Sequence, residues 1–316
     1  DRTELLVSFP DGLKRRSVPV TASALTTEIR SFRRMLEKRT TREYLPHAQQ
    51  LYDWLLRPLA DDLRRLHVDT LVFVPDGPLR TIPMSALHDG KQFLIAQYAV
   101  AMTPGLDLTD PQPINRASAQ LLSSGLTKAV QGFPPLPHVA EEMESIHSLF
   151  KGAQLLDNNF ITPRLAGELK DGRYSILHIA THGQFATDVN QSFLLTFDDK
   201  LTMTQLERLV GLVRFRQDPL ELLTLSACQT GIGDDRAALG LAGIAVKAGA
   251  RSALATLWFI NDEASSELVS EFYRQLHDTS ISKARALQLA QLKLLSDRLY
   301  EHPAYWAAFL LFNNWL

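Results

Sequence analysis

The chain has 316 residues, 45% hydrophobic and 22% charged, a globular profile long enough for two domains or one large one. Its 33 Lys and Arg nearly balance 35 Asp and Glu, for a formal net charge of −2, which excludes a general affinity for nucleic acid or acidic membrane. The single cysteine rules out an internal disulfide, no apolar run approaches the ~18 residues of a membrane span, and no signal-peptide pattern opens the chain, so a cytoplasmic location is expected. The first residue is Asp1 rather than Met, and the expectation is a piece excised from something longer.

Residues 4–9 and 16–21 flank Asp11-Gly12 and read as a β-hairpin. Residues 26–38 and 44–66 carry apolar side chains at helical spacing; in the second, Leu51, Leu55, Leu59, Leu63 and Leu66 line one face. The basic runs Lys14-Arg15-Arg16 and Arg30, Arg33, Arg34 read as solvated faces. Residues 70–74 form a short β-rich run stopped by Pro75-Asp76-Gly77-Pro78, and residues 93–101 read as another strand. Pro111 and Pro113 lie in a polar stretch read as a linker, which gives a non-catalytic α/β half over 1–115 and a second unit over 116–316.

In the second unit strands and helices alternate. Strands are predicted at 119–124, 153–157, 175–180, 220–226, 251–260 and 306–312, and helices at 139–150, 163–170, 236–248, 263–276 and 282–295. Runs 175–180 and 220–226 are almost continuously apolar, as strands buried on both faces are. The alternation predicts an α/β fold with a mainly parallel sheet flanked by helices on both faces.

Ligands of such sheets bind at the carboxyl ends of the strands. Two of these ends are distinctive: Leu177-His178-Ile179-Ala180-Thr181-His182-Gly183 and Leu223-Thr224-Leu225-Ser226-Ala227-Cys228-Gln229-Thr230-Gly231. On adjacent strands, His182 and Cys228 would face each other. A thiol with a pKa near ~8.5 needs a proton acceptor to become a nucleophile at neutral pH, and an imidazole supplies one. The N–H groups of Gly183 and Cys228 are the candidate oxyanion donors. A lone buried cysteine or histidine is ordinarily core; it is their joint placement beside glycines that points to chemistry. A zinc site at His178 and His182 fits poorly, because on a strand the two stand about 13 Å apart at ~3.3 Å per residue and no third ligand is placed. No metal and no cofactor is therefore expected, and Gly231-Ile232-Gly233 lacks the rest of a dinucleotide loop.

These strings resemble the histidine and cysteine motifs of CHAT-domain proteins, in the caspase, gingipain and separase group of cysteine peptidases. The resemblance extends to residues 240–250, to Ala253-Leu254-Ala255-Thr256-Leu257-Trp258, to Asp262, to residues 284–294, to Pro303, Tyr305 and Trp306, and to residues 71–83 in the first third. It implies a caspase-like fold preceded by a degenerate caspase-like half. His182 would be the general base and acid and Cys228 the nucleophile of a thiol endopeptidase acting on a protein substrate. It also implies a regulatory partner reached through upstream tetratricopeptide repeats, none of which this chain contains. The Phe259-Ile260-Asn261-Asp262 segment departs from the commonest form of the family, and Asn313-Asn314-Trp315-Leu316 stands where a glycine is usual.

Asp262 follows the predicted strand 251–260 and has two readings: an acidic wall of a pocket for an Arg or Lys side chain, or the N-cap of the next helix. The alternative to the enzyme is a non-catalytic interaction module of the same fold, and an acyl-transferring ligase is a third reading. His178 is read as a residue that acts through stability.

Overall fold

The computed structural model describes the chain except for residues 107–108, 110, 186–190, 212–218, 227–228, 231–242 and 244–248. The helix predicted at 236–248 lies almost wholly outside the described residues.

The chain opens with the expected hairpin, β1 (Thr3–Phe9) and β2 (Gly12–Val18), paired antiparallel through a two-residue turn at Pro10-Asp11. Gly12 has φ 119°, open to glycine and strained for other residues. The second strand begins four residues earlier than predicted, because it is largely exposed and its alternating basic residues mask the β pattern. Lys14 and Arg16 pair with Asp62, and Arg15 with Glu4.

Helix α1 (Ala22–Leu36) is capped by the Thr21 hydroxyl, which accepts from the Ala24 N–H at 3.2 Å. It buries Ile29, Phe32 and Leu36. The long helix predicted over 44–66 is divided into α2 (Tyr44–Leu55), a 3-10 turn at Arg57–Leu59 and α3 (Ala60–Arg65). Pro58 is the cause: it has no N–H for the helical ladder, and its ring disfavours helical backbone at the residue before it.

The near-continuous apolar runs become the interior of one eight-stranded sheet. Its strands are β3 (Thr70–Phe73), β4 (Ala99–Met102), β5 (Leu121–Gly125), β6 (Gly152–Leu156), β7 (Ile176–Ala180), β11 (Leu222–Ser226), β13 (Ser252–Thr256) and β14 (Phe309–Asn313). The order across the sheet is β3-β4-β14-β13-β11-β7-β5-β6. Only the β13–β14 pair is antiparallel. Strands β4, β5, β7, β13 and β14 are buried along their whole length. The strand predicted over 93–101 shrinks to β4, since Leu94–Ala96 is a 3-10 turn.

Helices α4 (Val139–Leu149), α5 (Thr162–Asp171), α6 (Met203–Gly211), α7 (Asp262–Leu276), α8 (Lys283–Ser296) and the short α9 (Pro303–Trp306) flank the sheet. One hydrophobic cluster runs through it, from Phe32 and Leu51 to Leu254 and Trp306. A small second sheet was not predicted: β8 (Gly183–Phe185), β9 (Phe193–Leu195), β10 (Lys200–Thr202) and β12 (Gln229–Thr230), in the order β10-β9-β8-β12. Strands of two or three residues are too short to show a period.

Among the described residues, no helix is long and apolar enough to cross a membrane.

Candidate active site

Strands β7 and β11 are adjacent and parallel, with Ile176 opposite Leu222 and Ala180 opposite Ser226. His182 stands two residues beyond Ala180, and Cys228 two residues beyond Ser226. Cys228, together with Ala227, lies outside the described residues. Beyond them the small sheet resumes the pairing, with Gln229 opposite Gln184 on β8 and β12.

Thr181 and His182 bridge the two sheets. The Thr181 hydroxyl donates to the Leu195 carbonyl at 2.7 Å, and the His182 carbonyl accepts from the Leu195 N–H at 2.8 Å. The backbone at His182 is thus fixed from β9. Gly183 is buried on β8 opposite Leu194.

The imidazole of His182 is oriented from the other side. Its Nε2 lies 2.8 Å from the Pro134 carbonyl oxygen. A carbonyl only accepts, so Nε2 carries the proton, and in the neutral ring Nδ1 is the acceptor. The Phe133 ring packs against the imidazole, with centroids 5.2 Å apart. Pro134 belongs to the loop between β5 and α4, and Asp157 pins the start of that loop. The Asp157 carboxylate accepts from the N–H and hydroxyl of Thr127 at 2.8 Å each and from the Lys128 N–H at 3.3 Å. Burial pushes the Asp157 carboxyl up, but these donors together hold it below its usual value.

His182, Ser226, Thr256, Phe259 and Asp262 line a small cavity at the carboxyl ends of β7, β11 and β13. Asp262 is the first residue of α7. The helix is capped by Asn261 rather than Asp262, the Asn261 side chain accepting from the Ala264 N–H at 3.3 Å. The Asp262 carboxylate instead accepts from the His138 backbone N–H at 2.8 Å. Burial pushes its pKa above the usual Asp value, against the pull of that hydrogen bond.

His178 does not join this cavity. It is fully buried on β7, and its Nε2 lies 2.8 Å from Oε1 of the equally buried Glu142. The two meet at hydrogen-bonding distance but off the hydrogen-bonding direction. Oε2 of Glu142 reaches the Ser226 hydroxyl at 3.4 Å, at the last residue of β11. The Tyr273 hydroxyl donates to Thr224 on the same strand at 2.8 Å, and its ring stands edge-on to His178. A buried polar layer therefore lies beneath the strand ends.

Sequence reasoning missed Glu142 and Pro134. Glu142 carried a signal: it falls on the buried face of α4 with Val139, Met143 and Ile146, at spacings of three and four. Pro134 acts through its backbone carbonyl, which the residue type does not reveal. Among the described residues, no three His, Cys, Asp or Glu side chains group as metal ligands would.

The fold is similar to that of caspase-like cysteine peptidases. The crystal structure of the Arg-specific cysteine proteinase gingipain R aligns with a TM-score of 0.57 and 11% identity over 93% of this chain and 76% of its own. A complex of the pro- and mature domains of RgpB from Porphyromonas gingivalis aligns with a TM-score of 0.53 and 9% identity, over 93% of this chain and 77% of that one. At such identities the likeness establishes the fold alone. No curated protein matches the chain in sequence. The CHAT domain matches residues 45–314, most of the chain, and the protein belongs to the CHAT domain family.

Proposed function

We propose that this protein is a cysteine endopeptidase with Cys228 as nucleophile and His182 as general base and acid. The observation that carries the reading is the Pro134 carbonyl on His182 Nε2, which leaves Nδ1 as the ring's proton acceptor beside a cavity at the strand ends. The matched register of β7 and β11 supports pairing His182 with Cys228.

The cycle balances with water as co-substrate. His182 Nδ1 takes the thiol proton, and the thiolate of Cys228 attacks the scissile carbonyl carbon, forming a C–S bond. The oxyanion is stabilised by the N–H groups of Gly183 and Cys228. Collapse breaks the C–N bond, and the imidazolium gives its proton to the leaving amine. Water, losing a proton to His182, attacks the thioester; the C–S bond breaks, the acid product leaves and the thiol is restored.

In this reading Asp262 forms the acidic wall of the substrate pocket and selects an Arg or Lys side chain before the scissile bond. Its carboxylate lines the cavity and is partly buried, so a basic side chain would relieve the cost of keeping it charged. That gingipain R is described as Arg-specific agrees with this assignment.

The test is covalent labelling by a peptide electrophile with a basic residue before the warhead, alongside a peptide-library cleavage profile. Wild-type protein should be modified at Cys228 and cut after Arg or Lys, and Cys228→Ala should do neither. A folded wild-type protein that reacts with no peptide electrophile and cuts nothing would instead be a docking module.

A further inference from the structure

The cavity wall contributed by residues 257–260 is held by the N-terminal part of the chain. This segment connects β13 to the Asn261 cap of α7, and Phe259 and Ile260 face the cavity beside Asp262. Among the described residues its backbone tie to the sheet is the Leu257 N–H, which donates to the Ala308 carbonyl at 2.9 Å. The Trp258 ring is sunk in the core, its Nε1 donating to the Ala304 carbonyl at 2.9 Å. The backbone carbonyls on either side of Trp258 still need donors, since an unsatisfied carbonyl taken out of water costs about as much as a lost hydrogen bond.

Both donors are arginines from the first 40 residues. Arg33, near the end of α1, donates from Nη2 to the Leu257 carbonyl at 2.9 Å and from Nη1 to the Thr81 carbonyl at 2.9 Å. Its guanidinium lies over the Trp258 ring, 4.5 Å from the centroid, and its Nε donates to Glu37 at 2.7 Å. Arg39 donates from Nη2 to the Phe259 carbonyl at 2.7 Å and lies over the Tyr305 ring at 5.1 Å. The stretch just after Arg39 is tied down too: the Thr41 carbonyl accepts from His302 Nε2 at 2.9 Å, and Arg42 pairs with Glu301 at 3.0 Å. Arg33 is thus not part of the solvated basic face predicted with Arg30 and Arg34. A planar, always-charged fork suits it to reach two carbonyls and stack on an indole at once, which a lysine cannot do.

We propose that Arg33 and Arg39 are positioning residues for substrate selection: they clamp the wall that presents Phe259, Ile260 and Asp262, so the segment before the catalytic strands sets which side chain the pocket accepts. This rests on the endopeptidase reading. Neither arginine takes part in bond making, so loosening the clamp should weaken substrate recognition and leave the reactivity of the thiol intact.

The experiment compares wild type with Arg33→Met/Arg39→Met and with Arg33→Lys, by peptide turnover, alkylation of Cys228 by iodoacetamide and hydrogen exchange. The double variant should raise KM roughly tenfold with kcat changed less than about threefold, and narrow the preference between the best and next-best residue before the cut about fivefold. Arg33→Lys should fall between. Alkylation should stay within about twofold of wild type, and amides 257–261 should exchange roughly tenfold faster while those of α8 do not change. Unchanged exchange at 257–261 overturns the clamp. Faster exchange with KM and preference unchanged overturns the role in selection, as does an equal loss of kcat and alkylation rate. If wild type cuts no peptide and reacts with no peptide electrophile, the endopeptidase reading falls, selection falls with it, and the clamp is judged on exchange alone.

Discussion

Charge is buried at both ends of the central sheet, with different consequences. At the amino ends, Glu221 precedes β11, Arg251 precedes β13, and Lys283 opens α8 with no exposed surface. Arg251 pairs with Glu221 at 2.9 Å, while Lys283 Nζ makes no hydrogen bond among the described residues. The C-terminal tail closes over this end: the Asn314 N–H and the Asn313 amide donate to the Arg251 carbonyl, and the Ala284 N–H to that of Trp315. At the carboxyl ends, Glu142 and His178 form the buried floor, and His182 and Asp262 open onto a cavity. Buried charge therefore does not by itself mark a site. What distinguishes the carboxyl end is that titratable groups line a cavity, with a hydrogen bond that assigns a role to each ring nitrogen of His182.

The largest effects should come from the residues proposed to do the chemistry. Cys228→Ala should lower peptide turnover by at least about a thousandfold, and His182→Ala by a comparable factor, with thermal stability changed by less than about 1 kcal/mol. Retained turnover by a well-folded Cys228→Ala protein would sink the peptidase reading.

The floor should respond in stability first. Glu142→Ala or His178→Ala leaves the other member's buried polar group without its neighbour and opens a cavity, and each should cost about 2 kcal/mol in chemical denaturation. Activity per folded molecule should fall by less than about tenfold. A stable but inactive His178→Ala protein would move His178 from the floor into the chemistry.

Asp262→Asn separates recognition from folding. The amide oxygen can still accept from the His138 N–H, so the melting temperature should hold or rise, because a charge disfavoured by burial has been removed. Cleavage after basic residues should drop roughly tenfold relative to other residues. The pH dependence has a definite sign: the carboxylate is charged only above its raised pKa. The preference for basic residues should therefore fade on acidification at a higher pH than an ordinary Asp would give. A basic preference that survives in Asp262→Asn would rule out the acidic wall.

The amino end should give the smallest effect, confined to stability. Burial lowers the Lys283 pKa to about 8, against the opposing pull of Glu221, so the unfolded chain holds this proton up to a higher pH than the native one does. Wild-type stability should then rise with pH from about 8 towards the ordinary lysine value. Lys283→Met should melt about 2–4 °C above wild type at pH 7, and that advantage should shrink by pH 10. A constant difference across that window would mean that Lys283 is not titrating in the folded state.

What the sequence determined by itself follows from pattern. Nearly continuous apolar runs at 175–180 and 220–226 are best satisfied in the middle of a parallel sheet, and His182 and Cys228 beyond their ends, near Gly183 and Gly231, are the candidates for chemistry that the pattern offers. Short-range chemistry was legible too, such as the hairpin that Asp11-Gly12 signals, which turns at Pro10-Asp11. Tertiary structure decided everything that depends on residues distant in the chain. Whether Asp262 or Asn261 caps α7 is a choice between neighbours with equal propensity, settled because the Asp262 carboxylate finds the His138 N–H 124 residues away. Arg33 and Arg34 are adjacent and chemically identical, yet one is exposed and the other reaches a carbonyl 224 residues on. The orientation of His182 hangs on the backbone oxygen of Pro134, a group every residue carries. Residue type tells what a side chain can do, whereas only packing brings it the partner that makes it do so.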